Sequence, residues 1–507
     1  MDHPNQSNEG GADKRVPGLT RRSILALGGG AVLAAALPSR AISIPAPLPR
    51  PAEGPSVSPV MEKLSTYMSE AADRAVPDEV REKAGQHILD TLAAVISGSA
   101  LPPGGAALRF ARAHGGQPVA TVIASNLLLG PIESAMTNAM MAHADETDDS
   151  HGPSHAHLGC AVVPAALAAG EEFGISGAHF LRAVTLGYDV GARFTMALGG
   201  EKYENESHRS THSIATIFGA AAAAGCAARL DARQMRVLLG YTAQQCSGLT
   251  SWRRDTDHIQ KAFVFGGMTA RSGVTSALLV QAGWTGVEDL LSGKDNFFQA
   301  FAPQADPAVL VEGLGERYEI TRSDIKKWAV GSPIQAILDA LAALQQQHPF
   351  DAGQVQHVTA RLAPPEVITV NNRAMPDICA QHMIAVMLLD KTVSFAAAHD
   401  KARMHDPAVL QERAKVELAP DPQLAAFLPT RAARVQVTLK DGTRLSKEVN
   451  GVRGTSKNPM SHDEVVAKSR DLMSSVLGTA KGEELIEKVF SLTQVKAIKD
   501  LRPLLQP

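Results

Sequence analysis

Residues 77–98, PDEVREKAGQHILDTLAAVISG, predict the fold class of this chain. A proline and two acids open the segment, as they often do in the first turn of an α-helix, and a glycine closes it. Between these ends, apolar residues recur three or four positions apart, at Val80, Ala84, Ile88, Leu92 and Val95. This spacing predicts a helix that buries one face against other helices.

Alanine-rich segments of the same kind continue to about residue 321. They cover residues 132–144, 161–173, 179–198, 214–229, 232–246 and 268–282. Aromatic residues make up only 4% of the chain, which favours closely packed helices over a β-sandwich.

The pattern changes after about residue 320. Residues 355–362 and 433–439 alternate apolar and polar side chains, as half-buried strands do, and Asp441-Gly442 predicts a hairpin into residues 444–449. We therefore predict a mainly α fold, with a large all-helical domain plus a smaller α+β lid domain. The predicted bounds are 58–321 for the helical domain, 322–455 for the lid, and 456–507 for C-terminal helices that return to the helical domain.

The N-terminus has the pattern of an export signal. Thr20-Arg21-Arg22-Ser23 precedes an apolar stretch of residues 24–37 and then small residues. This order predicts a twin-arginine signal peptide over residues 1–41, followed by a Pro- and Ser-rich linker over 42–57. The apolar stretch is short for a bilayer span, so we expect no stable membrane span after cleavage and a periplasmic location. An uncleaved anchor is the alternative.

Charge and cysteine content exclude some classes of function. A formal net charge of −3 over 507 residues provides no basic field for nucleic acid. The four cysteines show no C-x-x-C spacing, which argues against a zinc knuckle or a dithiol redox site.

The densest polar segment is residues 143–157, HADETDDSHGPSHAH, with four histidines and four acids. Two functional interpretations remain open from the residues alone. His151, His155 and His157 have spacing that suits a divalent metal. Alternatively, a neighbouring acid orients an imidazole for proton transfer.

This segment resembles the MmgE/PrpD family, which shows H-A-x-D-x-D-D-T-H and then a histidine seven residues before a proline. His157 stands seven residues before Pro164. Glu146 and Ser150 occupy positions where the family has Asp and Thr. The carboxylate and the hydroxyl are therefore kept, while the size of each side chain changes.

Later segments resemble the family in the same order. Residues 261–273, KAFVFGGMTARSG, are similar to K-x-x-H-x-G-x-x-A-R-x-G, with Val264 in place of the histidine. Lys326 matches a lysine at the domain junction, and Gln335 replaces a common histidine. His382 lies where a tyrosine often occurs.

One family histidine has two candidates here. It precedes the alanine-rich helix, and His212 is the nearest match, with His208 as a rival. We interpret residues 253–258 as a solvated loop rather than a pocket wall.

The resemblance implies proton abstraction next to a carboxylate of a small di- or tricarboxylic acid. The expected enzyme is a carbon–oxygen lyase of the 2-methylcitrate dehydratase type, with decarboxylation or isomerisation as further possibilities. The resemblance also implies a homodimer and a reaction that needs neither a metal nor an organic cofactor. The implied catalytic residues are His157, His212, Lys261, Lys326, Glu146 and Ser150. The implied substrate-binding residues are Asp149, His155, His382 and Arg271.

Two other classes of function stay open. The histidine-rich loop is compatible with a metal-dependent hydratase or hydrolase. The departures at Val264, Gln335 and His382 are compatible with a periplasmic carboxylate-binding protein that has lost catalysis.

Overall fold

The computed structural model describes residues 57–507. The predicted signal peptide and nearly all of the linker lie outside these residues and stay predictions. The first part of the described chain is helical, apart from a small antiparallel pair, β1 (Ala120–Thr121) and β2 (Leu128–Leu129). Its helices are α1 (Pro59–Glu70), α2 (Asp78–Gly98), α3 (Pro102–Ala113), α4 (Pro131–Ala142), α5 (Gly159–Phe173), α6 (Gly177–Leu198), α7 (Gly200–Ser207), α8 (Thr211–Ala227), α9 (Ala232–Gln244), α10 (Ile259–Ala262), α11 (Met268–Gln281) and α12 (Phe297–Phe301).

Helices α6 and α8 cross at the centre of the helical region, and every residue of α8 is buried. Two glycines permit this crossing. A Cβ on Gly219 would lie 2.7 Å from the carbonyl oxygen of Gly187, closer than side chains approach backbone. Small residues at this contact therefore allow the two backbones to touch, which explains the alanine-rich composition.

The second part of the chain contains α13 (Ser332–Gln347) and the strands β3 (Val355–Leu362), β4 (Val416–Pro420), β5 (Ala433–Leu439) and β6 (Arg444–Val449). The strands form one sheet in the order β4-β3-β5-β6. Strand β3 pairs parallel with β4 and antiparallel with β5, and β5 forms the predicted hairpin with β6. Helix α13 covers one face of β5 and β6. The other helices of this part are α14 (Pro364–Val370), α15 (Ala380–Asp390), α16 (Phe395–His399) and α17 (Pro407–Arg413). The fold is thus mainly α with a small sheet region.

The chain ends in α18 (His462–Leu477), α19 (Thr479–Phe490) and α20 (Arg502–Leu505). Helix α18 packs against α2, and Lys468 places its ammonium 2.6 Å from Asp90. Gly478, at φ +76°, separates α18 from α19, and Pro503 lies in the first turn of α20 because proline suits that position.

One continuous helix, Ile259–Gln281, is long and apolar enough to cross a membrane. Of its most apolar window, 61% is buried against other parts of the protein. Such burial is typical of a helix in a protein core.

Candidate active site

The loop of residues 143–157 joins α4 to α5, and its two adjacent aspartates face different surroundings. Asp149 accepts hydrogen bonds from the backbone N–H of Gly159 (3.0 Å), from the Tyr188 hydroxyl (2.5 Å) and from His87 Nδ1 (3.0 Å). Burial raises the pKa of Asp149, but the His87 and Tyr188 bonds outweigh it and lower the pKa overall. Asp149 therefore anchors the loop to the N-terminus of α5.

Asp148 binds two imidazoles. His143 Nδ1 donates to its Oδ2 at 2.8 Å, and His157 Nδ1 donates to its Oδ1 at 3.1 Å. Burial raises the pKa of Asp148, but His143, His157 and Lys326 hold it well below its ordinary value. Because a carboxylate accepts from each Nδ1–H, the Nε2 atom of each neutral ring carries the free lone pair.

The imidazoles gather around one phenylalanine. Phe265 stacks on His212 with ring centres 4.1 Å apart and on His143 at 4.5 Å, and the ring of His157 lies 5.2 Å from that of His212. Phe265 lies in a π-helical segment, Phe263–Gly267, between α10 and α11. Such segments are frequent at functional sites, because the extra residue changes the direction of side chains.

The environments of His157 and His212 favour the neutral ring. Burial lowers the pKa of His157; Asp148 raises it and Lys326 lowers it, and the net pKa is below its ordinary value. Burial and the neighbouring His155, His157 and Lys261 hold the pKa of His212 well below its ordinary value. A neutral imidazole is the form that accepts a proton.

Two lysines surround Glu146. Lys261 forms an ion pair with Glu146 Oε1, while Lys326 Nζ donates to the Glu146 carbonyl oxygen at 2.8 Å and lies 3.6 Å from Asp148. Burial raises the pKa of Glu146, but both lysines and His258 hold it well below its ordinary value. The acids of the loop and the two ammonium groups thus largely neutralise each other.

A cavity of about 110 Å³ lies between this cluster and the sheet-containing part of the chain. One wall includes Ser150, His155, His157, His212 and Lys326. The sheet-containing part of the chain contributes residues 429–431, and the segment after β6 contributes residues 452–455. The imidazoles therefore meet a space of small-molecule size that both parts of the chain enclose.

The metal site considered as an alternative for His151, His155 and His157 is not present as a set of converging donors within the described residues. His151 directs Nδ1 to Ser154 and Nε2 to Glu319, away from the other two rings. Within residues 57–507, a set of donor atoms lies instead at His155, Glu204 and His212, mutually within 4.8 Å. Arg253 already donates to Glu204 Oε1 at 2.6 Å, so a metal ion would have to displace a guanidinium.

Family models match most of the chain. The MmgE/PrpD N-terminal domain matches residues 62–310, and the MmgE/PrpD C-terminal domain matches residues 328–492. The chain belongs to the MmgE/PrpD family. The resemblance inferred from the motifs is confirmed.

Relatives in this family include decarboxylases. The chain is 25% identical to "Cis-aconitate decarboxylase" of Aspergillus terreus (strain NIH 2624 / FGSC A1156), over 90% of this chain and 97% of the relative. It is 24% identical to "Cis-aconitate decarboxylase" of Mus musculus, over 75% of this chain and 79% of the relative.

The structure brings together most of the residues that the family pattern implied. His155, His157, His212, Lys326 and Ser150 line the cavity. Glu146 and Lys261 do not line it, but they lie directly behind Lys326 in one charged network. Of the two rival histidines, His212 belongs to the cluster, whereas His208 is exposed at the end of α7.

Three expected substrate-binding residues lie elsewhere. Asp149 is committed to its bonds in the protein core, and Arg271 is exposed on α11. His382 is buried in α15, where burial and the nearby Arg413 and Arg403 lower its pKa to about 4. The tyrosine-like role expected for His382 is therefore not supported by its position.

Sequence reasoning missed residues that complete the cluster. His143 and Asp148 stood in the quoted loop, but their pairing depends on the loop conformation. His258 was assigned to a solvated loop, yet it is 6% exposed and lies 5.1 Å, ring to ring, from His143. His399 of α16 lies 2.9 Å from Asp145, and no sequence pattern indicated this contact between distant segments.

Two of the departures from the family pattern, Gln335 and Val264, have different consequences. Gln335 lines the cavity and binds the Trp328 and Val330 carbonyl oxygens at 2.7 and 2.9 Å, so it holds the segment that follows Lys326. Val264 is half-buried against the apolar core and does not line the cavity.

Proposed function

We propose that this chain is a lyase or isomerase that moves a proton at the carbon next to a carboxylate of a small di- or tricarboxylic acid. The observation that carries the proposal is the Asp148–His157 pair. It presents a neutral imidazole to a cavity that Lys326 also lines.

His157 is the proposed base. Its Nδ1–H is held by Asp148, which fixes the ring and leaves the Nε2 lone pair for a substrate proton. His212, with a ring centre 5.2 Å away, is the proposed partner in returning or relaying that proton. Asp148 stabilises the imidazolium that forms, as the carboxylate of a catalytic triad does.

Lys326 is the proposed cation for the charge that develops on the substrate. Removing a proton next to a carboxylate leaves a carbanion whose charge spreads onto the carboxylate oxygens. A fixed ammonium in a partly dry cavity stabilises that charge more strongly than it would in water. Lys326 is 5% exposed and lines the cavity, whereas Lys261 acts through Glu146.

The candidate reactions differ in which substrate bond breaks. The names of the relatives favour decarboxylation. In that reaction the bond to a carboxylate carbon breaks, carbon dioxide leaves, and the electron pair stays on the remaining part of the substrate, which then takes up a proton. The lowered pKa of His157 favours a step that begins with a base, as dehydration and isomerisation do. We therefore propose decarboxylation and dehydration as the two reactions to test first.

Three further features are part of the proposal. The sheet-containing part of the chain acts as a lid, because residues 429–431 and 452–455 close the cavity. A homodimer and twin-arginine export to the periplasm are proposed from the family resemblance and from residues 20–37.

Proton–deuterium exchange by NMR tests the function. The protein is incubated in deuterated buffer with cis-aconitate, citrate and 2-methylcitrate, and the loss of substrate C–H signals, water loss and carbon dioxide release are followed. We expect exchange or turnover with at least one compound, and His157→Ala to lower it about 10²–10⁴-fold with the fold intact. His208→Ala, at an exposed histidine outside the cluster, is the control. Undiminished exchange in His157→Ala would refute the assigned role.

A metal-dependent hydratase or hydrolase is the second candidate, because His155, Glu204 and His212 form a possible ligand set. Elemental analysis of the purified protein, with activity measured before and after EDTA treatment, separates the two. The proposed lyase keeps its activity after chelation, because the guanidinium of Arg253 already neutralises Glu204. Loss of activity that returns with added Zn²⁺ would favour the metal-dependent enzyme.

A further inference from the structure

Two arginines line the cavity, and they differ in how many of their donors are already paired. Arg453 is fully engaged: its Nε and Nη2 contact the Glu464 carboxylate, and its Nη1 donates to Asn458 at 2.9 Å. Arg431 makes one hydrogen bond within residues 57–507, from Nη1 to Glu366 Oε1 at 3.2 Å. Its Nε and Nη2 hydrogens therefore remain available.

Arg431 is held in place at the cavity. Its partner Glu366 is 3% exposed and also accepts from the backbone N–H of Ala363, in the first turn of α14. The Arg431 side chain is 32% exposed and lines the cavity together with its neighbours Pro429 and Thr430. A guanidinium that is anchored at one nitrogen, keeps donors on its other two and lines a cavity can bind a planar anion.

Lys326, which lines the cavity, and Lys261, which lies behind it, already have partners. Lys261 is paired with Glu146, and Lys326 contacts the Glu146 carbonyl oxygen and the Asp148 carboxylate. A guanidinium can bind a carboxylate through two parallel hydrogen bonds, whereas an ammonium acts as a point charge. Of the cations lining this cavity in the described chain, Arg431 offers the most unused donors.

We propose that Arg431 binds a second carboxylate of the substrate and makes the enzyme selective for di- and tricarboxylates over monocarboxylates. This inference rests on the proposed function. One carboxylate lies near Lys326, where the adjacent carbon faces His157, and the other reaches across the cavity to Arg431. A monocarboxylate occupies the first position alone and gains nothing from Arg431.

Binding of compounds that do not react tests the assignment directly. Isothermal titration calorimetry measures the affinity for tricarballylate, a saturated tricarboxylate, and for butyrate, with the full protein. Arg431→Gln should weaken tricarballylate binding about 10- to 100-fold, the range expected for a lost charge-assisted hydrogen bond, and leave butyrate binding unchanged. Arg431→Lys should restore part of the loss, because it keeps the charge without the fork.

Arg434→Gln is the matched control. Arg434 is three residues away, is 37% exposed, and is likewise paired with acids, Asp421 and Glu448, but it does not line the cavity. If Arg431→Gln unfolds because Glu366 is left buried without its partner, the double variant Arg431→Gln, Glu366→Gln removes both charges together.

The outcomes separate the two proposals. Wild-type affinity for tricarballylate in Arg431→Gln or the double variant overturns the assignment of Arg431 while leaving the proposed function standing. Equal losses for tricarballylate and butyrate also overturn it. A wild-type protein that binds neither tricarballylate nor cis-aconitate refutes the proposed function itself, and the role of Arg431 with it.

Discussion

Asp148 and Asp149 are neighbours in sequence, and both are buried and bound to histidines, yet they organise two different regions. The Asp148 region holds His143 and His157 beside a cavity and next to Lys326. The Asp149 region holds His87, Tyr188 and the first N–H of α5 inside the helical core. We infer that one carboxylate serves chemistry and the other serves the fold, although the sequence presents them as a pair.

The largest expected effect is on turnover when Asp148 is changed. Asp148→Asn replaces an acceptor by a group that can donate, so His157 can adopt the wrong tautomer, as in a serine protease triad. We expect the rate of exchange or turnover to fall on the order of 10²-fold, while the melting temperature changes little compared with that of Asp149→Asn. Steady-state kinetics and thermal unfolding of both variants check this. Near-normal turnover in Asp148→Asn would contradict the catalytic role inferred for Asp148.

The second effect is on stability when Asp149 is changed. Asp149→Asn removes a buried charge that accepts three hydrogen bonds, and it should lower the free energy of unfolding by about 2–3 kcal/mol. The activity per folded molecule should remain within a few-fold of the wild type. Urea unfolding and active-site titration measure the two quantities, and stable but inactive protein would contradict the assignment.

The smallest effect is a shift in the pH dependence. Neutral His157 is the proposed base, so the rate should fall as the pH drops through its lowered pKa and stay level above it. The charge of Asp148 raises the pKa of His157, so Asp148→Asn should move the acid limb to lower pH by about one unit. NMR titration of the His157 ring gives the same pKa without turnover. Asp149→Asn should leave the pKa of His157 unchanged. An identical shift in both variants would contradict the different roles inferred for Asp148 and Asp149.

The prediction of the helices succeeded where local signals were complete. Residues 77–98 carry a proline, acids, a helical apolar spacing and a closing glycine, and α2 covers Asp78–Gly98. The Asp441-Gly442 turn likewise fixed the hairpin of β5 and β6. The short strand β4 was missed, because its parallel pairing with β3 depends on a partner more than fifty residues away.

The candidate site was predictable only in part. The spacing from His157 to Pro164 and the residues around Lys261 carried the family resemblance, because these patterns lie within one segment each. The separation of Asp148 from Asp149, the choice of His212 over His208, and the exclusion of His382 and Arg271 required the folded chain.

The sequence by itself determined the family, the mainly α architecture and the presence of an imidazole-rich loop. These follow from periodicity and motifs that are read over a few turns of chain. Which side chains meet depends on the folded chain: His258 lies beside His143, and His157, Lys326 and Arg431 line one cavity. Such pairings depend on burial and on distances between remote segments, and no local pattern encodes them.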